Sequence, residues 1–195
     1  MIGMNKRMAT LFYIVGASGV GKDALMQYAR KAINGSRSVV FAHRYITRPS
    51  EAGSENHVYI SPEEFLARRD GGLFALHWES HGLYYGIGME IDAWMDNGFD
   101  VVVNGSRAYL PVARRAYPDL ISVLIEADPD IIRQRLEGRG RETPEEIERR
   151  LQRRPLGYTT ATDLITIHNN GTLGEGGTAL VAVLTQSIQS SNLKQ

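Results

Sequence analysis

The sequence predicts an α/β fold, a parallel sheet of about five strands flanked by helices. Three observations lead there. Short apolar runs alternate with well-capped helix starts along the 195 residues, the pattern of strands joined by crossover helices. The runs are apolar throughout rather than at every second position, as strands buried on both faces are. And the first run passes straight into a glycine-rich loop and then into good helix material, the strand–loop–helix unit that cradles phosphate.

Thr10–Val15 is the first predicted strand. It is followed by Gly16-Ala17-Ser18-Gly19-Val20-Gly21-Lys22-Asp23, which fits the phosphate-loop pattern G-x-x-x-x-G-K-[ST] at every position but the last. Ala24–Lys31 continues as a helix, and Ser38–Ala42 reads as the second strand. Ser61-Pro62-Glu63-Glu64 gives an N-cap, a proline at the first helical position and a glutamate at the third. Strands are predicted at Asp100–Val103, Leu120–Ile125 and Leu164–Ile167. Between the last two, Asp128-Pro129 opens one helix and Thr143-Pro144-Glu145-Glu146 another. A final helix is predicted over about Thr178–Ser190.

Bulk properties narrow the function classes. Lys plus Arg equals Asp plus Glu at 22 each, so net charge makes no case for a nucleic-acid or anionic-membrane partner. No run of 18 apolar residues exists to span a bilayer, and Met1–Ala9 has no signal-peptide core. With no cysteine, disulfides and thiolate metal sites are excluded. The expectation is one cytoplasmic domain over residues 1–195, with residues 1–9 flexible. Oligomeric state is not legible.

The loop carries the first chemistry. Its glycines let successive N–H groups of Gly16–Gly21 turn inward on a polyphosphate, Lys22 adds a full positive charge, and the helix N-terminus adds a partial one. Asp23 stands where a hydroxyl normally helps hold Mg²⁺. It reads either as a first-turn carboxylate favoured by the helix dipole, worth about 0.3–1 kcal/mol, or as a metal ligand. Two segments break the alternation. Residues 43–90 hold most of the histidines among Arg, Tyr and Asn. Residues 133–156 hold Arg133, Arg135, Arg139, Arg141, Arg149, Arg150, Arg153 and Arg154. That second segment reads as a solvated face with i,i+4 ion pairs, or as a lid whose arginines close over the polyphosphate.

The order of parts resembles the guanylate kinase branch of the nucleoside-monophosphate kinases. The matching residues are Gly16–Lys22, Thr47-Arg48-Pro49, Gly82-Leu-Tyr84-Tyr85-Gly86, and Arg135-Leu-Glu-Gly-Arg139-Gly140 with Arg150-Leu151. The resemblance implies a P-loop kinase fold with a substrate-binding insertion and an Arg-rich lid. The guanine-reading residues are missing. Leu76 falls where that family has a glutamate, Glu51 where it has a second phosphate-binding arginine, and His57 where it has a tyrosine. The central strand ends in Asn104-Gly105-Ser106-Arg107 rather than in a second carboxylate. A guanine site without its partners loses on the order of several kcal/mol of discrimination.

The strings His43-Arg44-Tyr-Ile-Thr-Arg48, Ala52-Gly-Ser-Glu-Asn56-His57, Gly82–Gly86 and Asn104–Arg107 resemble instead the ribose 1,5-bisphosphate phosphokinases of bacterial phosphonate catabolism, which also carry Asp after the loop Lys. That resemblance implies transfer of the ATP γ-phosphoryl to the 1-phosphate of a ribose bisphosphate, giving 5-phosphoribosyl 1-diphosphate. A phosphate nucleophile has a second pKa of about 6 and is already anionic at neutral pH, so no general base is assigned. Lys22, Mg²⁺ at Asp23, Arg135, Arg139 and Arg150 are expected on the donor side. Arg44, Arg48, His57 and Arg107 are expected on the acceptor phosphates. Asn56 joins them, Asn104 and Ser106 are expected on ribose hydroxyls, and Tyr84 and Tyr85 shape the pocket. Trp78 and Trp94 read as packing residues, and His77 and His81 stay outside the site. The alternatives are a nucleoside-monophosphate kinase of relaxed acceptor choice and a non-catalytic interaction module.

Overall fold

The computed structural model describes residues 9–34, 38–49, 56–140, 143–152 and 164–192. Its chain order is β1 (Leu11–Gly16), α1 (Lys22–Ala32), β2 (Val39–Phe41), β3 (Arg44–Ile46), β4 (His57–Tyr59), α2 (Pro62–Asp70), β5 (Phe74–Ser80) and β6 (Leu83–Gly88). There follow α3 (Glu90–Asp96), β7 (Asp100–Asn104), α4 (Leu110–Ala116), β8 (Ile121–Glu126), α5 (Pro129–Arg139), α6 (Pro144–Gln152), β9 (Leu164–His168) and α7 (Leu173–Asn192).

The five strands predicted from apolar runs form one parallel sheet in the order β2-β7-β1-β8-β9. The central strand β1 is buried at Leu11, Phe12, Tyr13, Ile14 and Val15 alike, which is why its sequence shows no alternation. Its side chains still divide between the two faces. Phe12 and Ile14 pack with Leu25 and Ala29 of α1 and with Leu180 and Leu184 of α7. Leu11, Tyr13 and Val15 pack with Ile91 of α3, with Leu110 and Ala113 of α4, and with Leu76, Trp78 and Ile87 of the insertion. From β1 the chain crosses to β2 on one side, and from β7 it crosses to β8 on the other. Such a reversal opens a crevice at the carboxyl ends of the two strands. Gly16–Asp23 and Asn104–Arg107 emerge there.

The insertion contributes a second sheet, in the order β4-β3-β6-β5. Strands β5 and β6 form an antiparallel hairpin, turned at His81 and Gly82 with φ of 54° and 71°. Both values are positive, as a two-residue hairpin turn of matching twist requires. The sequence does not announce the whole sheet, because β3 and β4 have three residues each, too few to display a period. Strand β5 does alternate, with Phe74, Leu76 and Trp78 buried. The helices α3 and α4, seven residues each, are likewise not predicted from the sequence.

Helix α2 starts as predicted, with Ser61 Oγ accepting from the Glu64 N–H at 3.2 Å. At α6, Thr143 Oγ1 accepts from the Glu146 N–H at 3.3 Å and Glu146 Oε2 accepts from the Thr143 N–H at 2.9 Å, a complete capping box. The last helix corrects its prediction, beginning at Leu173 rather than near Thr178. Its cap is a second box: Glu175 Oε2 accepts from the Thr172 N–H at 2.7 Å, and Thr172 Oγ1 accepts from the Glu175 N–H at 3.2 Å. Gly174, Gly176 and Gly177 disguise this first turn, since glycine is a poor helix former. Packing requires two of them: a Cβ on Gly176 would lie 2.6 Å from Asn169 Oδ1, and one on Gly177 2.3 Å from the Tyr28 ring. Among the described residues no helix is long and apolar enough to cross a membrane.

Candidate functional site

The phosphate loop is shaped by backbone torsions. Gly19 and Gly21 have φ of 89° and 93°, a region closed to most side chains. Lys22 Nζ folds over the loop and donates to the carbonyls of Gly16 and Ala17 at 3.0 and 3.4 Å. The loop's outward-turned Val20 carbonyl accepts from Asn169 Nδ2 at 2.7 Å and from Arg135 Nη1 at 3.2 Å. Two side chains from outside the loop thus hold that carbonyl. Ala17, Ser18 and Val20 lie between the glycines as expected.

Asn169 is a residue the sequence does not single out. It is 4% exposed, directly follows β9, and its own N–H donates to the Glu126 carbonyl at 2.7 Å. Its neighbour Asn170 accepts from the Asp128 N–H at 2.8 Å. One dipeptide thus ties the β9–α7 turn to the phosphate loop and to the start of α5. The only sequence signal is a pair of asparagines just after a strand, which is ordinary turn composition.

Asp23 sits in the first turn of α1 with its side chain 47% exposed. Its Oδ1 accepts from Asn104 Nδ2 at 2.7 Å and lies 3.8 Å from Arg44 Nη2. Asn104 ends β7 and is buried; its Oδ1 has no hydrogen-bond partner among the described residues. The structure therefore brings Asn104 to the donor loop, where the sequence assigned it to ribose. A half-exposed carboxylate and a buried amide oxygen are hard donors of the kind Mg²⁺ takes. Among the described residues no cluster of three His, Cys, Asp or Glu could hold a metal.

Beyond Asn104 the strand end is tied to Tyr13. Tyr13 donates its hydroxyl hydrogen to the Ser106 carbonyl at 3.3 Å and accepts from the Ser106 N–H at 3.0 Å. Burial pushes this phenol well above its ordinary value of 10.0, so it stays neutral. A Cβ on Gly105 would lie 2.1 Å from the Tyr13 ring, so glycine is required there by close approach. Ser106 and Arg107 follow, half-buried, between β7 and α4.

Across the crevice, Arg44 opens β3 and is buried. Its guanidinium lies 5.9 Å from the Tyr85 ring centroid, and Tyr85 stacks on Trp78 at 5.5 Å with 1° between planes. The adjacent Tyr84 faces the other way, stacking on Phe65 at 5.2 Å within the insertion's own small core. Strand alternation therefore separates the two tyrosines: Tyr85 joins Arg44, Tyr84 does not. His57 pairs with Arg44 in the register of β3 and β4. Asn56 is a brace: its Nδ2 donates to the Phe41 and Ala42 carbonyls at 3.4 and 3.2 Å, and its Oδ1 accepts from Arg30 at 3.0 Å. Arg48 lies exposed in the bend after β3.

The structure places two arginines of the arginine-rich segment differently. Arg133 pairs with Glu148 at 2.7 Å, joining α5 to α6 as a surface ion pair, whereas Arg135 reaches the phosphate loop and donates to the Gly171 carbonyl at 3.5 Å. The side chains of Arg139 and Arg150, residues 50–55 and the far end of the expected lid lie outside the described residues. So do residues 1–8, where flexibility is expected.

No protein-family model matches the chain. The ribose 1,5-bisphosphate phosphokinase PhnN of Desulfomicrobium baculatum is 52% identical over 180 residues, covering 92% of this chain and 96% of that protein. Its namesake from Thiobacillus denitrificans is 50% identical, over 91% of this chain and 93% of its own. The chain belongs to the ribose 1,5-bisphosphate phosphokinase family. Among solved structures, guanylate kinase from Anaplasma phagocytophilum superposes with a TM-score of 0.67 at 18% identity, covering 94% of this chain and 88% of that one. The phosphokinase family thus shares the guanylate kinase fold. Leu76, which the sequence count puts at the place of the guanine-reading glutamate, is 1% exposed and packs in the core with Trp78 and Ile87.

Proposed function

We propose that this protein transfers the γ-phosphoryl group of ATP to the 1-phosphate of ribose 1,5-bisphosphate, releasing ADP and 5-phosphoribosyl 1-diphosphate. Phosphonate catabolism is the setting that the family resemblance implies. The observation that carries the reading is the identity of 52% over 92% of the chain, long enough to span the phosphate loop and the insertion together. The buried Leu76 supports it from the opposite direction, since an apolar core position offers guanine nothing to bond.

In this reading the chain's residues bring two anions together and neutralise them. The Gly16–Gly21 amides hold the β- and γ-phosphates, held in shape by Asn169 behind Val20. Lys22 swings its ammonium from the Gly16 and Ala17 carbonyls, 3.0 and 3.4 Å away, onto the phosphates. Arg135, Arg139 and Arg150 close from the lid over the transferring group, whose charge spreads over its equatorial oxygens. Asp23 and the Asn104 amide oxygen would hold Mg²⁺, which when bound supplies charge neutralisation between the β- and γ-phosphates. On the acceptor side Arg44, His57, Arg48 and Arg107 receive the two phosphates. Ser106, pinned by Tyr13, presents its hydroxyl to ribose. A phosphate oxygen attacks in line, and the bond from γ-phosphorus to the β,γ-bridging oxygen breaks, leaving ADP. The nucleophile arrives anionic, so no side chain has to remove a proton. A cytoplasmic setting follows from the use of ATP.

The test is ADP release from Mg-ATP with ribose 1,5-bisphosphate, GMP, AMP and gluconate offered separately. Turnover is expected with the bisphosphate, and turnover with GMP alone would overturn the reading.

A further inference from the structure

Asp23 and Arg44 belong to different halves of the site. Asp23 opens α1 directly behind the donor loop, and Arg44 opens β3 in the acceptor insertion. Yet Arg44 Nη2 lies 3.8 Å from Asp23 Oδ1, and the arginine side chain is only 10% exposed. The same oxygen is fixed from the sheet by Asn104 Nδ2 at 2.7 Å. Arg44 is limited in turn: its N–H donates to the Asn56 carbonyl at 3.1 Å, and Tyr85 lies beside its guanidinium at 5.9 Å. The carboxylate and the backbone of Arg44 are thus each fixed by a further hydrogen bond.

We propose that Asp23 couples the two substrate sites through Arg44. Without nucleotide its carboxylate holds the guanidinium. Nucleotide with Mg²⁺ at the loop takes over that carboxylate and frees Arg44 for an acceptor phosphate. The inference rests on the roles given above to Asp23 and Arg44 and adds the link between them. Its physical basis is competition for one carboxylate. Asp23 can give its negative charge to the Arg44 guanidinium, 3.8 Å away, or to a hard divalent cation. A cation that takes the carboxylate draws that charge away from the arginine. A Ser or Thr hydroxyl at the eighth loop position could bind the metal but could not hold an arginine. By linkage the effect is reciprocal, so bound acceptor also tightens Mg-nucleotide.

The experiment titrates ribose 1,5-bisphosphate calorimetrically into the protein alone and into its complex with Mg²⁺ and a non-hydrolysable ATP analogue. Acceptor affinity should rise on the order of tenfold in the complex, within the usual range of coupled sites. Asp23→Asn should tighten the acceptor in the absence of nucleotide and bring the ratio of the two affinities close to one. Arg44→Gln should weaken the acceptor and also abolish the ratio. Combining the two separates a specific link from a general field. If Asp23 acts through Arg44, Asp23→Asn changes nothing in the Arg44→Gln background. An equal gain in both backgrounds overturns the proposal, as does a wild-type ratio of one. If the bisphosphate binds in neither state, the substrate reading fails, and the same cycle is run with inorganic phosphate. Tightening by the Mg-analogue that Asp23→Asn abolishes would then sustain the coupling, and its absence would overturn it.

Discussion

In the five-stranded sheet the groups proposed to meet the nucleotide phosphates are chiefly loop amides, shaped by the torsions of Gly19 and Gly21 and braced at the Val20 carbonyl, with the Lys22 side chain beside them. In the four-stranded sheet of the insertion the groups proposed to meet the acceptor are side chains: Arg44 beside Tyr85, with His57 one strand away. The first sheet is buried on both faces and its loop needs little beyond glycines and one lysine. The second adds a small core of its own, Phe65 with Phe74 and Ile60, and the groups proposed to meet the acceptor are side chains carried on its strands. The contrast explains how a guanylate kinase fold accommodates a family named for a sugar bisphosphate: the donor end is fixed by geometry, the acceptor end by residue choice.

Four substitutions probe that division. Lys22→Ala strikes the donor end hardest, and kcat/KM should fall by at least about 10²–10³-fold, the scale of removing one charge-stabilising group. Urea unfolding should be nearly unchanged, because the bonds from Nζ to the Gly16 and Ala17 carbonyls lie within the loop itself. Leu76→Glu tests whether restoring a guanine-reading carboxylate is enough. The position is core, so the expected result is a loss of more than about 3 kcal/mol of stability without GMP turnover; a folded, GMP-active variant would break the comparison. Asn169→Ala removes the brace behind the loop. One buried hydrogen bond and its packing should cost about 1–2 kcal/mol, with KM for ATP raised and KM for the acceptor unmoved in steady-state assays.

The smallest effect belongs to Glu175, which caps α7 beneath that same loop. Its bonds from the Thr172 N–H and hydroxyl hold its carboxyl below the ordinary value of 4.5. A depressed carboxylate contributes stability that is complete above the unfolded value and disappears as pH falls through the folded one. Glu175→Gln should therefore lower the melting temperature slightly at pH 7, and the gap from wild type should close on acidification below about 4.

Much of the large sheet was legible because its signals are local. Apolar runs, the caps at Ser61 and Thr143, and the loop pattern at Gly16–Lys22 each involve residues a few positions apart, and every strand lies within about a residue of its predicted bounds. The late start predicted for α7 has the reverse cause. Gly176 and Gly177 look helix-breaking locally and are demanded by contacts with Asn169 and Tyr28, residues that no local window includes.

By itself the sequence determined that this chain folds as a parallel α/β sheet and carries a phosphate-loop pattern at Gly16–Lys22, and it put Leu76 where guanylate kinases are expected to have a glutamate. Those properties follow from contiguous residues whose backbone and periodicity dictate local form. Only the tertiary structure decided that Asp23 meets Asn104 and Arg44, that Asn169 stands behind Val20, and that Tyr85 rather than Tyr84 joins the arginine. Each of these depends on strand order and on which face of a strand a side chain takes, and neither is set until the sheets have assembled.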